Sequence, residues 1–440
     1  VNSSTITAVQ AWESLDSRGR PTVAAQVVLA DGSRADALVP SGASAGSHEA
    51  CELRDGGLRY GGRGVLRAVS HVQQILGPAV QGHNALDTRA VDEALTAADP
   101  SAGHRELGAN AVLAVSLAAV RAAAAHCRTS LARHLSGPGS LLLPMPMVNI
   151  ISGGAHAGGL LDVQDFLIIP HAATSFAEAI RWCAEVRDKT AAIALSRGQS
   201  GAVLVADEGG LGLPLSSNRA ALELLSDGIT AAGFRPGHDM SIALDIAATE
   251  LFDGTTYSFA SEKRGLTAEE WIQEICGWVA DFPIVSIEDI LAEDDWPHWT
   301  AATARLGEQI ELIGDDLFVT QRARLLTGIG QRAANSVLVK VNQNGTVTGA
   351  ADVLATAQAA GYRTVVSARS GETEDRWLAD LAVGWRAGQI KVGSTHRSER
   401  TAKWNRLLKL EALEDTVFAG PWSGGRPSMP TVPSPAGGEK

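Results

Sequence analysis

Residues Pro283–Asp289 read PIVSIED, a proline and a short apolar run followed by two carboxylates. The run from Pro283 to Ile287 suits a strand buried on both faces, and Glu288 closes it. The same texture recurs on either side. Apolar runs at Gly201–Ala206, Ser241–Leu244, Ile310–Gly314, Ser336–Val339, Thr364–Val366 and Gln389–Ile390 stop on or beside Glu208, Asp245, Asp315, Lys340, Ser367 and Lys391. With Glu288 included, these groups lie 37, 43, 27, 25, 27 and 24 positions apart. A parallel strand and its crossover need on the order of 25 or more residues, so the spacing predicts consecutive βα units. Polar groups on the carboxyl ends of successive parallel strands predict a (β/α)8 barrel, whose site lies on that face. A doubly wound sheet would gather them at one switch point.

Upstream the pattern differs. Strand-like runs at Thr22–Ala30 and Arg34–Val39 flank Asp31-Gly32, and between Gly64 and Leu135 the pattern becomes helical, with small residues through Ala109–Ala125. Strands first and helices after predict a compact α+β domain over residues 1–140. Pro144-Met145-Pro146 marks the passage into a barrel spanning 141–420, and the Pro, Gly and Ser of 421–440 read as a flexible tail.

The chain has 440 residues, with 37 Lys+Arg against 49 Asp+Glu and a net charge of -12. That balance argues against nucleic-acid or anionic-membrane partners. Cys51, Cys127, Cys183 and Cys276 are far apart and fit no zinc spacing, as expected of thiols in a reducing compartment. The Ala-rich stretch around Ala109–Cys127 reads as too short and too weakly apolar to span a bilayer. A cytoplasmic protein is expected. Only seven of the 37 basic residues are lysines, which draws attention to the two at strand ends.

Asp245, Glu288 and Asp315 at three successive strand ends offer oxygen ligands for one hard cation, and Mg2+ suits such a set better than zinc. Lys340 and Lys391 follow on later strands. Unlike arginine, a lysine can be tuned to act as a base, and a neighbouring cation would lower the pKa of Lys340. Glu208, on the Asp207-Glu208-Gly209-Gly210 turn, suits acid or base duty. Together these groups suggest proton abstraction beside a carboxylate. Gly-rich segments at 40–46 and 153–159 are candidate lids, and Arg369-Ser370 is a candidate phosphoryl grip.

These motifs resemble the enolase family from Asp16 to about Gly420. They include SGAS at 41–44, GANAVLAVSLAA at 108–119, HAGG at 156–159, DEGG at 207–210, SIED at 286–289, DDL at 315–317, KVNQ at 340–343, RSGETED at 369–375 and GQIK at 388–391. The resemblance implies a homodimeric, Mg2+-dependent hydro-lyase interconverting 2-phosphoglycerate and phosphoenolpyruvate. By matching position it implies Lys340 as the base at C2 and Glu208 as the acid at the C3 hydroxyl, with Asp165 as that acid's partner. Asp245, Glu288 and Asp315 would hold a first Mg2+, and Ser44 would reach a second. Lys391 would pair with the substrate carboxylate, and Arg369 and Ser370 with the phosphoryl end. His156, Gly42 and Ala43 would complete the substrate contacts.

Four positions depart from the family pattern. Asp165 stands where the family has Glu, which shortens the reach by about 1.5 Å. Ala368 stands for His, Ala45 for Thr, and Asn344 for an apolar residue. The metal and lysine positions are kept, and the losses gather on the acid and phosphoryl side. This predicts dehydration of a 2-phosphoglycerate-like phospho- or phosphono-carboxylate carrying an altered or bulkier phosphorus group, as in phosphonate antibiotic metabolism. Alternatives are an ordinary glycolytic enolase and a non-catalytic protein on the same fold. The family's acidic dimer-contact residue is Ala24 here, while its basic counterpart remains as Lys409; a homodimer is still expected.

Overall fold

The computed structural model describes residues 2–42 and 46–422. Strands β1 (Ile6–Leu15), β2 (Pro21–Leu29) and β3 (Arg34–Leu38) form an antiparallel sheet in that order. Helix α1 (Ala109–His126) packs across β2 and β3. By length and composition α1 could cross a membrane, contrary to the sequence expectation, but 83% of it is buried inside the domain. Its alanines let the backbone approach the sheet closely, so its apolar surface is spent on the domain core.

Eight strands close the barrel: β4 (Met145–Ser152), β5 (Asp165–Ile169), β6 (Ser241–Asp245), β7 (Ile284–Glu288), β8 (Glu311–Gly314), β9 (Ser336–Val339), β10 (Arg363–Ser367) and β11 (Gly388–Gly393). Pairing of β11 with β4 completes the ring. The fold is thus the expected α+β domain followed by an eight-stranded α/β barrel, with two local differences. Strand β5 runs antiparallel to both neighbours, as the second arm of a hairpin from β4. Two consecutive helices, α2 (Phe176–Ser196) and α3 (Asn218–Ala231), then precede β6, each N-capped by a serine, Ser175 and Ser217.

The second difference concerns Gly201–Ala206, which forms no strand. Ser200–Val203 is a single 3-10 turn, and Val203 is 71% exposed. Strand pairing comes instead just after it, where Leu211 and Gly212 pair parallel with Ile151 and Ser152 at the end of β4.

Strand alternation divides the barrel interior into layers. Met147, Leu167, Ala243, Ile313, Leu338 and Val365 belong to one apolar cluster inside it. Two residues further along their strands stand Asp245, Asp315, Lys340 and Ser367; Asp165, on the reversed strand, precedes Leu167 by two. Trp422, expected at the start of a flexible tail, is instead 6% exposed in the same cluster and donates its amide to the His171 carbonyl at 2.9 Å. Residues 423–440 lie outside the described residues.

The N-terminal domain rests on the β9–β10 side of the barrel mouth. Ser41 and Gly371 exchange both backbone hydrogen bonds at 2.8 Å, and the Ala50 amide donates to Gln343 O at 3.0 Å.

Candidate active site

Register delivers the carboxylates. Asp165 pairs with Asp245, and Asp245 with Glu288, across three adjacent strands. Because β5 is reversed, Asp165 begins its strand at the same end where Asp245 and Glu288 finish theirs. Asp315 and Lys340 follow directly on β8 and β9, and Ser367 is level with Lys391 on β10 and β11.

Two ammonium groups face the candidate metal carboxylates. Lys391 Nζ lies 2.6 Å from Asp245 Oδ2 and 2.7 Å from Glu288 Oε2, and Lys340 Nζ pairs with Asp315 Oδ2. Burial disfavours the charge on Lys391, but Asp245 and Glu288 outweigh it and hold its pKa well above the ordinary lysine value. The same balance, led by Asp315 against burial, raises Lys340. In the protein alone Asp315 thus keeps Lys340 charged, and the lowering expected from a neighbouring cation would have to come from a bound metal.

Glu208 reaches the site from a loop. Its carbonyl accepts the Ser394 amide at 2.9 Å, and the next residue, Gly209, has φ +85°, where a Cβ would run into the His396 carbonyl. His156 joins Glu208 to Asp165: Nδ1 is 2.9 Å from Asp165 Oδ2 and Nε2 is 3.8 Å from Glu208 Oε1. Burial opposes the charge on the ring, but Asp165 and then Glu208 prevail, and its pKa is pushed up to about 9. Glu208 is lowered: burial works against its charge, and His156, Arg400 and the two lysines overcome it.

One pocket is lined by Gly42, His156, Glu208, Asp245, Asp315, Lys340, Arg369, Ser370 and Lys391, together with Ala368. Asp165 and Glu288 are buried behind that wall, the first against His156 and the second against Lys391. Ala43 and Ser44, and the departure at Ala45, lie outside the described residues. Asn344 donates to Thr320 O at 3.1 Å and accepts from Thr346, which ties the turn after Lys340.

Several polar neighbours escaped the sequence reading. Asp289 accepts the amides of Asp315 and Asp316 at 2.9 and 2.8 Å, fixing the β8 end. Gln343 donates to Asp315 Oδ1 at 2.9 Å. Arg400, fully buried, donates to the carbonyls of Arg369, Ser370 and Val392 and lies 3.8 Å from Glu208. Asp289, Asp316 and Gln343 sit inside the SIED, DDL and KVNQ motifs, so adjacency was the available signal; Arg400 carries none.

The donor set fits a hard cation. Asp245, Glu288 and Asp315 supply only oxygens, and Glu288 Oε1 is buried with no hydrogen-bond partner among the described residues. The carboxylates whose oxygens converge within 4.8 Å here are Asp289, Asp315 and Asp316, which share only Asp315 with the predicted set, while Lys391 sits on Asp245 and Glu288.

A barrel closed through one reversed strand, capped by an α+β domain and presenting carboxylates opposite two lysines, has the architecture that the sequence resemblance to the enolase family implied. The family descriptions agree: "Enolase, N-terminal domain" matches residues 6–135 and "Enolase, C-terminal TIM barrel domain" matches residues 140–424. The chain belongs to the enolase family.

Proposed function

We propose that the protein is a Mg2+-dependent hydro-lyase that dehydrates a 2-phosphoglycerate-like acid bearing an altered or bulkier phosphorus group. The closest such activity is that of carboxyphosphonoenolpyruvate synthase, in phosphonate antibiotic biosynthesis. The observation that carries the specificity is Ala368, a pocket-wall residue beside Arg369, Ser370 and Glu208 that contributes a methyl where the family pattern has an imidazole.

In this reading Lys340 is neutral and Glu208 protonated once substrate is bound, the reverse of the states their neighbours favour in the free protein. The C2–H bond then breaks with its proton going to Lys340 Nζ, and the C3–O bond breaks with a proton from Glu208, releasing water. Asp165 holds the His156 ring beside Glu208. Lys391 pairs with the substrate carboxylate, and Arg369 and Ser370 with the phosphorus oxygens. Asp245, Glu288 and Asp315 would hold Mg2+, which supplies a fixed positive charge beside the substrate carboxylate. Steady-state assays comparing 2-phosphoglycerate with phosphono analogues test the proposal; efficient turnover of 2-phosphoglycerate alone would make the protein a glycolytic enolase.

The chain is further read as a homodimer. Arg397 donates to Ser17 O at 2.9 Å and to Ala206 O at 3.5 Å, bringing the β1–β2 turn beside the loop before Glu208. Exposed Leu15, Val203 and Leu204 lie on those two segments and favour a covered face. Ala24 is buried within β2, so any subunit contact there would not use an ion pair at that position. Sedimentation equilibrium decides between monomer and dimer.

A further inference from the structure

The guanidinium of Arg369 faces the pocket on one side and a second cavity, of about 110 Å3, on the other. Glu49, from the N-terminal domain, lines only the second cavity and grips Arg369 from there: Oε2 accepts Nη1 at 2.9 Å and Oε1 accepts Nη2 at 3.2 Å. Asn342 Oδ1 accepts a further Nη1 hydrogen at 3.1 Å. A two-point carboxylate grip fixes the plane of a guanidinium, and with it the direction of the remaining N–H groups.

Glu49 has two other contacts. Its Oε1 accepts the Gly46 amide at 3.1 Å and the Gln343 amide nitrogen at 3.3 Å. The same Gln343 nitrogen donates to Asp315. The carboxylate is only 9% exposed, so these contacts form in a screened setting where charge-assisted bonds are strong.

The geometry points to Glu49 as a positioning residue: it aims Arg369 at the phosphorus oxygens and ties that aim to the Gly46 amide and, through Gln343, to the Asp315 carboxylate. The inference rests on Arg369 binding the phosphorus end of the substrate. It places a determinant of anion affinity in the N-terminal domain, so docking of that domain sets the affinity of the barrel for its substrate.

The test measures binding of inorganic phosphate by calorimetry to the full chain with Mg2+ present, alongside KM and kcat for 2-phosphoglycerate. Glu49→Gln should weaken phosphate binding and raise KM about tenfold while kcat changes less than KM, because an oriented remote contact contributes mainly to uniform binding. Glu49→Asp, which keeps the charge but shortens the reach, should recover part of the loss and serves if the first variant fails to fold. In an Arg369→Lys background Glu49→Gln should add little, as residues acting as one unit are not additive. If Arg369→Lys leaves phosphate binding unchanged, the assignment of the phosphorus end is wrong. If Arg369→Lys weakens binding but Glu49→Gln does not, or the two losses simply multiply, Glu49 is not acting through Arg369.

Discussion

The imidazole of His156 bridges Asp165 and Glu208, hydrogen-bonded to the first at 2.9 Å and 3.8 Å from the second. The shorter carboxylate at position 165 therefore acts on the pocket through a ring rather than by direct reach.

Asp165→Asn preserves shape and removes the charge that favours the imidazolium. The ring pKa should fall from about 9 toward the ordinary histidine value, and turnover should drop on the order of 10²-fold. NMR titration of the His156 ring checks the first effect; a ring that still titrates near its present value would contradict the pairing.

The same pair makes stability pH-dependent. The folded pKa of His156, about 9, lies above its unfolded value of 6.5, so the ring's contribution is complete below pH 6.5 and is lost as pH rises through 9. Urea midpoints of the native chain and a His156→Gln variant should differ most at low pH and converge in the alkaline range.

Lys340→Ala should lower kcat by about 10²–10⁴-fold, the usual weight of a positioned base. Circular dichroism should be unchanged, since strand β9 ends before residue 340. Retained turnover would leave the barrel without its proposed base.

Chelation with EDTA should abolish turnover and Mg2+ should restore it. Glu288→Gln should raise the Mg2+ concentration needed for half-maximal rate by at least about tenfold. A rate indifferent to both would remove the metal from the mechanism.

Trp422→Ala should cost about 3 kcal/mol in urea unfolding, as expected for emptying a buried tryptophan site. Turnover at low temperature should persist, because Trp422 belongs to the apolar interior cluster and not to the pocket wall.

The barrel was legible because polar groups interrupt apolar runs at strand ends, and six of the seven runs are strands. The run at Gly201–Ala206 misled because apolar composition alone does not supply a free strand edge. Strands β4 and β5 were not among those runs, although Asp165 stands at the start of β5, because nothing local announces that a strand is reversed. Lysine scarcity did single out Lys340 and Lys391; it also left Lys403 unexplained, which the structure buries against Glu372 at 2.8 Å. Glu49 was invisible for another reason: its partner Arg369 is 320 positions away.

Those separations bear on how the site comes together in time. The His156–Asp165 pair closes over 9 positions within one hairpin, Lys340 meets Asp315 over 25, Lys391 meets Asp245 over 146, and Arg369 meets Glu49 over 320. Contacts distant in sequence form late, because the intervening chain must first be ordered. Regained turnover after dilution from denaturant would then lag behind regained secondary structure, paced by the docking of the first domain onto a barrel already closed.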